Sequence, residues 1–264
     1  MKILLHIVLI ALLTVLTQTG GLIYLIALLL VRKKTRGRYV KRILIFTTLY
    51  LLATFLIIPN IAPFFGREKI RETENLRAHS FFYKLANRNY VKPELNKAAA
   101  RIAAEFERQH RGIQMVYLDA NFPFIDKFPL LPHLSHNDGK KMDVSFIYQD
   151  PNGQLTNAKK SLSGYGVYEG PAEGEFDQTA ACKQKGYWQY DFPKYLTFGK
   201  INKELGLSEK ATRELVITIL NQDEIGKLFI EPHLKSRLQL NNNKVRFHGC
   251  RAVRHDDHIH FQLK

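Results

Sequence analysis

No Asp or Glu occurs in the first 66 residues, whereas eight Lys or Arg do, and two apolar runs, Leu4 to Val31 and Ile43 to Ile61, fill most of that stretch. Roughly 20 apolar residues cross a bilayer as a helix, so each run is long enough. The chain is therefore expected to open with two transmembrane helices. The first run is longer than the ~7–15-residue apolar core of a secretory signal. It has only Lys2 ahead of it and shows no small-x-small cleavage site. A polar interruption, Thr-Gln-Thr-Gly-Gly, stands at 17–21.

Between the runs, Arg32 to Arg42 holds seven cations in eleven residues. Such a run is often a solvated or nucleic-acid-binding patch, but between two membrane spans it reads as a cytoplasmic loop under the positive-inside rule. That orientation puts everything after Pro63 on the outer or periplasmic side of a cytoplasmic (inner) membrane and argues against a nucleic-acid partner. The expected organisation is a two-helix anchor at 1–63, a membrane-proximal connector at 64–92 and one folded domain at 93–264.

Within that domain Pro93 opens a helix, Glu94 to His110, with Ala98, Ile102, Ala103 and Phe106 recurring on one face and Gly112 able to end it. Strands are expected at Ile113 to Leu118, Met142 to Tyr148 and Leu228 to Ile230, with a turn at Asp150-Pro-Asn-Gly153. Ser208 is placed to cap an apolar helix from Glu209 to Leu220. The fold class is α+β, a small antiparallel sheet with flanking helices. The stretch through Lys185 is a long insertion, functional or mobile, with Tyr165, Tyr168, Tyr187, Trp188 and Tyr190 near it. These rings suit either packing or the binding of sugars or peptide stems. Cys182 and Cys250 lack the spacing of a cysteine zinc site; outside the cytoplasm they either pair or remain two buried thiols.

Two histidine stretches carry the chemistry. The sequence ends Val-Arg-His255-Asp-Asp-His258-Ile-His260-Phe-Gln-Leu-Lys264, and on a strand His258 and His260 leave the same face. Upstream, His133-Leu-Ser-His136-Asn-Asp-Gly139-Lys-Lys-Met-Asp143 runs through a glycine turn into an apolar strand, so a reversal at Gly139 brings His136 toward Asp143. Two imidazoles and one carboxylate suit zinc, and three protein ligands leave a fourth position open, as hydrolytic sites require.

These two motifs resemble the metallopeptidase group that includes lysostaphin, the D-Ala-D-Ala peptidases and the zinc-binding domain of hedgehog proteins. The nearest pattern is that of the penicillin-insensitive murein endopeptidases, His-x-Ser-His-x-x-Gly-x-x-x-Asp and a late His-Asp-x-His-x-His. Gly226-Lys-Leu-Phe-Ile-Glu-Pro-His-Leu-Lys-Ser-Arg-Leu238 is also similar to that family's approach to its last motif, and the likeness covers roughly the second half of the chain. Two departures stand out. Lys141 replaces a second acidic residue two before the metal aspartate, and an Arg-Pro-Trp approach is missing, with Arg251 and Arg254 only loosely in its place.

The resemblance implies that His136, Asp143 and His260 hold Zn2+, that His258 acts as general base or stabilises the tetrahedral intermediate, and that His133 and His255 flank the cleft. It implies a peptidase acting on peptidoglycan peptide stems, an endopeptidase on D-amino-acid cross-links or a carboxypeptidase on the same stems. A non-catalytic zinc module that recognises the wall or a partner protein is the alternative of a different class, and a metal-dependent nuclease is a distant third. Asp256 and Asp257 are candidates to orient one of the rings. Because the ligands must be neutral imidazoles, activity is expected to fall below pH ~6.

Overall fold

The computed structural model describes residues 2–31 and 36–264. The expected cytoplasmic loop therefore lies partly, at 32–35, outside the described residues. The chain divides into two compact units, Met1–Ile70 with Phe81–Pro93 and Ala120–Gly139, and Arg71–Ser80 with Glu94–Asp119 and Lys140–Lys264.

The first unit begins with helices α1 (Lys2–Thr17), α2 (Gly20–Leu30) and α3 (Arg38–Leu52), and α2 packs against both others. Here the structure corrects the expectation of two long spans. Gln18 takes a left-handed φ of 66°, and the Thr17 hydroxyl turns back to the Leu13 carbonyl while accepting the Gly20 N–H. The first apolar run is thus two helices of 16 and 11 residues, about 24 and 17 Å long against a hydrocarbon core of about 30 Å. Among the described residues one helix, Arg38–Phe65, 28 residues, is long and apolar enough to cross a membrane. It contains a π turn at Ala53–Ile57, just before Pro59, which has no N–H to continue the regular ladder. Later in this unit Glu68–Lys69 pairs with Tyr90–Val91, and Tyr90 bridges to Asn121. Buried Arg67 donates to the Phe122 carbonyl and the Asp126 carboxylate, anchoring the 120–139 stretch.

The second unit is built on a six-stranded sheet. Its strands are β1 (Leu76–Ala78), β2 (Met115–Tyr117), β3 (Lys141–Ser145), β4 (Ile225–Phe229), β5 (Val245–Arg246) and β6 (His258–Leu263), in the spatial order β5-β4-β6-β3-β2-β1. The central pairs are antiparallel, but the outer pairs β5/β4 and β1/β2 are parallel, so the sheet is mixed at its edges. Strand β1 comes from the stretch read as a connector. Helix α4 (Pro93–Gln109) buries Ala98, Ile102, Ala103 and Phe106 completely, as its 3.6-residue spacing requires.

Helices α5 (Gln178–Gln184), α6 (Glu209–Leu220) and α7 (Pro232–Arg237) complete the unit. Ser208 occupies the N-cap of α6, but its hydroxyl makes no capping bond. Around Asp150-Pro-Asn-Gly153 the strands Tyr148–Gln149 and Leu155–Thr156 form a hairpin, closed by the Asp150 carboxylate, which accepts the Asn152 and Gln154 N–H groups. A disulfide joins Cys182 in α5 to Cys250, deciding between the two expectations for these thiols.

Candidate metal centre

Register builds half of the site. In the β3/β6 ladder His260 stands opposite Asp143 and His258 opposite Ser145. Asp143 is fully buried, and His258 and His260 are each 1% exposed. The two carboxylate oxygens of Asp143 face different rings: Oδ1 lies 2.9 Å from His260 Nδ1 and Oδ2 lies 3.6 Å from His258 Nε2. Burial so complete is costly for an ionised group unless partners compensate, and Asp143 has them on both oxygens.

The stretch between the hairpin and α6 supplies the rest of that compensation. The Tyr165 hydroxyl donates to Asp143 Oδ2 at 2.8 Å, and its ring lies edge-on to His258 with centroids 5.0 Å apart. Gly166 N–H donates to Asp257 Oδ2 at 2.6 Å, while Asp257 Oδ1 accepts from His258 Nδ1. Of the two aspartates expected to orient a ring, Asp257 does so. Asp256 is instead locked in a two-point pair with Arg254. That Arg254 guanidinium also lies 3.8 Å from the centre of the Tyr168 ring and 3.2 Å from Asp191.

His133 and His136 belong to the 120–139 stretch, with ring centroids 5.6 Å apart. His136 Nδ1 sits 2.7 Å from the Ala120 carbonyl. A carbonyl only accepts, so Nδ1 carries the proton and Nε2 keeps its lone pair, the tautomer a metal-binding imidazole needs. In the second unit Asp143 stands with the His258 and His260 rings, a nitrogen of each within 3.6 Å of one of its oxygens. Buried His and Asp groups of this kind suit a metal ion. Of the six expected site residues, Asp143, His258 and His260 thus come together in the second unit, and His133 and His136 belong to the first. The sixth, His255, is buried with its ring centroid 5.0 Å from that of His258 and 5.6 Å from that of His260.

The electrostatics follow from burial and neighbours. Burial disfavours the His258 imidazolium, yet the carboxylates of Asp143 and Asp257 outweigh it and raise the ring to about 9; a divalent cation beside Asp143 would reverse that balance. His255 is driven well below the ordinary histidine range by burial and by the neighbouring His258, His260 and His248 rings. Glu231 is pushed up to about 7 by burial and by Asp256, against hydrogen bonds from the Tyr190 hydroxyl and the His255 N–H.

Several residues here escape a reading by motif. Tyr165 stands out only as one of several aromatics, Gly166 carries no spacing signal, and Glu231 and Arg254 lie in or beside the segments that carry the resemblance without a role of their own there. His248 stacks on Phe229 at 4.2 Å and lies 5.2 Å from His255, yet belongs to no recognisable pattern. No family model and no curated protein matches the chain.

Proposed function

We propose that the chain is a membrane-anchored zinc metallopeptidase of the penicillin-insensitive murein endopeptidase type, hydrolysing peptidoglycan peptide bonds at D-amino-acid cross-links. The observation that carries the reading is buried Asp143 facing His260 across the β3/β6 ladder, with His136 proposed as the third ligand through Nε2, since its Nδ1 donates to the Ala120 carbonyl. That donor set and number fit zinc with a coordination position to spare. The exposed apolar helix Arg38–Phe65 supports membrane anchoring, with the shorter apolar helix α2 packed against α3 and α1 against α2 in the same unit. A disulfide is in keeping with a compartment outside the cytoplasm.

When bound, zinc supplies Lewis acidity that polarises the scissile carbonyl and activates water at neutral pH. The protein does the rest. His136 and His260 present neutral nitrogens, Asp143 neutralises charge, and the surrounding burial strengthens each interaction. His258, its Nδ1 proton held by Asp257, turns Nε2 toward Asp143, where it takes a proton from the attacking water and returns it to the leaving amine. His255 flanks that ring, and His133 is proposed to line the cleft.

The test uses full-length protein in detergent with purified cross-linked muropeptides, with and without a chelator, read by mass spectrometry. Chelator-sensitive conversion of dimers to monomers is the expected result. Loss of one terminal alanine instead identifies a carboxypeptidase. No product from folded, zinc-loaded protein would contradict the enzyme reading and leave a binding module.

A further inference from the structure

We propose that Tyr165 dictates how Asp143 binds its metal, restricting the carboxylate to one donor oxygen and so keeping a coordination position open. The inference rests on the metal-centre reading above. A phenol has a single proton, and the Tyr165 oxygen already accepts the backbone N–H of Asp119 at 3.0 Å. Its own proton therefore goes to Asp143 Oδ2, 2.8 Å away. An oxygen held by a phenol that is no ligand is a poorer donor to a cation, whereas Oδ1 shares its 2.9 Å hydrogen bond with His260 Nδ1, a ring of the ligand group that would itself turn to the metal. A carboxylate binding through both oxygens would fill the position that hydrolysis needs empty.

The phenol cannot simply swing away. Its ring lies against His258, its own carbonyl is gripped by the Ser161 hydroxyl at 2.8 Å, and Tyr165 is only 5% exposed. The next residue, Gly166, has φ 79° and lies so close to the Pro193 carbonyl that no Cβ fits. Through its N–H this glycine also holds Asp257, and Asp257 holds His258. One two-residue turn thus sets both carboxylates, the one in the ligand group and the one behind the base. Tyr165 is a positioning residue: it acts through Asp143.

Cobalt(II) bound to the full chain in detergent reads the coordination number through its visible absorption. Wild type is expected to give the intense spectrum of a four-coordinate ion and Tyr165→Phe the weaker spectrum of a five-coordinate one. In zinc-loaded Tyr165→Phe, turnover of muropeptide dimers should fall about 10- to 100-fold with metal content unchanged. Tyr168→Phe removes a nearby buried hydroxyl that has no hydrogen-bond partner and should leave the cobalt spectrum as in wild type.

Zinc-edge X-ray absorption on wild type needs no variant to fold, and is expected to show a carboxylate bound through one oxygen. A carboxylate bound through both oxygens, or a folded Tyr165→Phe with the wild-type spectrum and undiminished turnover, would overturn the inference while leaving the peptidase reading intact. A spectral change without any peptide hydrolysis would support the inference and refute the peptidase. Wild type that binds no cobalt would overturn both.

Discussion

The β3/β6 ladder and the stretch 158–204 both hold the candidate centre, but by different means. In the ladder, backbone pairing sets Asp143 opposite His260, and side-chain direction follows from strand alternation. The stretch 158–204 contributes no strand to that sheet. It is fastened by side chains and single amides: Cys182 to Cys250, Asp191 to Arg254, Tyr190 to Glu231, and Glu169 N–H to the Asp256 carbonyl. The ladder places Asp143 opposite His260, and the fastened stretch orients Asp143 and His258. A geometry set by register survives loss of a single contact, whereas one set by discrete clamps is lost clamp by clamp.

The contrast can be broken at its functional end first. His258→Ala should slow turnover by about 100- to 10,000-fold while zinc content, measured by elemental analysis, stays at the wild-type level; full rate in this variant would remove His258 from the chemistry. Opening the clamp is the next largest change. Cys182→Ser with Cys250→Ser releases a link spanning 68 residues and should cost about 2–5 kcal/mol in chemical denaturation. Hydrogen exchange should quicken across 158–204 while the amides of β3 and β6 stay protected. Equal loosening of both would erase the distinction.

Glu231 bolts the two regions together, accepting from Tyr190 on one side and from His255 N–H on the other. Its pKa is raised to about 7 from an ordinary 4.5, so between those values the native state holds a proton the unfolded chain has released. The resulting stabilisation is complete below pH 4.5 and lost as pH rises through about 7, an effect on the order of 3 kcal/mol at most. Unfolding at pH 5 and pH 8 should show this decline in wild type and a flatter profile in Glu231→Gln. Gly166→Ala should lower the melting temperature, with about 1–3 kcal/mol for a side chain at positive φ added to a clash with the Pro193 carbonyl and the displacement of Asp257. An unchanged melting temperature would mean that the turn is not rigid.

What could be read in advance divides along the same line. His258-Ile-His260 and the strand that begins before Asp143 obey short periods, so the facing of Asp143 and His260 was legible, as was α4 from its apolar face. Tyr165 meets Asp143 across 22 residues without any period, and no local signal marks it. Which of Asp256 and Asp257 faces a ring depends on where β6 begins, and adjacent side chains alternate faces. At the amino terminus, the Thr-Gln-Thr-Gly-Gly break was visible but outweighed by the apolar average on either side. In the structure Thr17 and Gly20 close a local turn there and end the helix. The parallel edges of the sheet rest on strands of two and three residues, too short to show alternation.

Metal stoichiometry tests the central claim most directly. Full-length protein equilibrated with zinc and dialysed should retain one ion per chain, and Asp143→Ala, folded by circular dichroism, should retain none. A wild-type chain that folds and keeps no metal, or an Asp143→Ala variant that keeps it undiminished, would contradict the account.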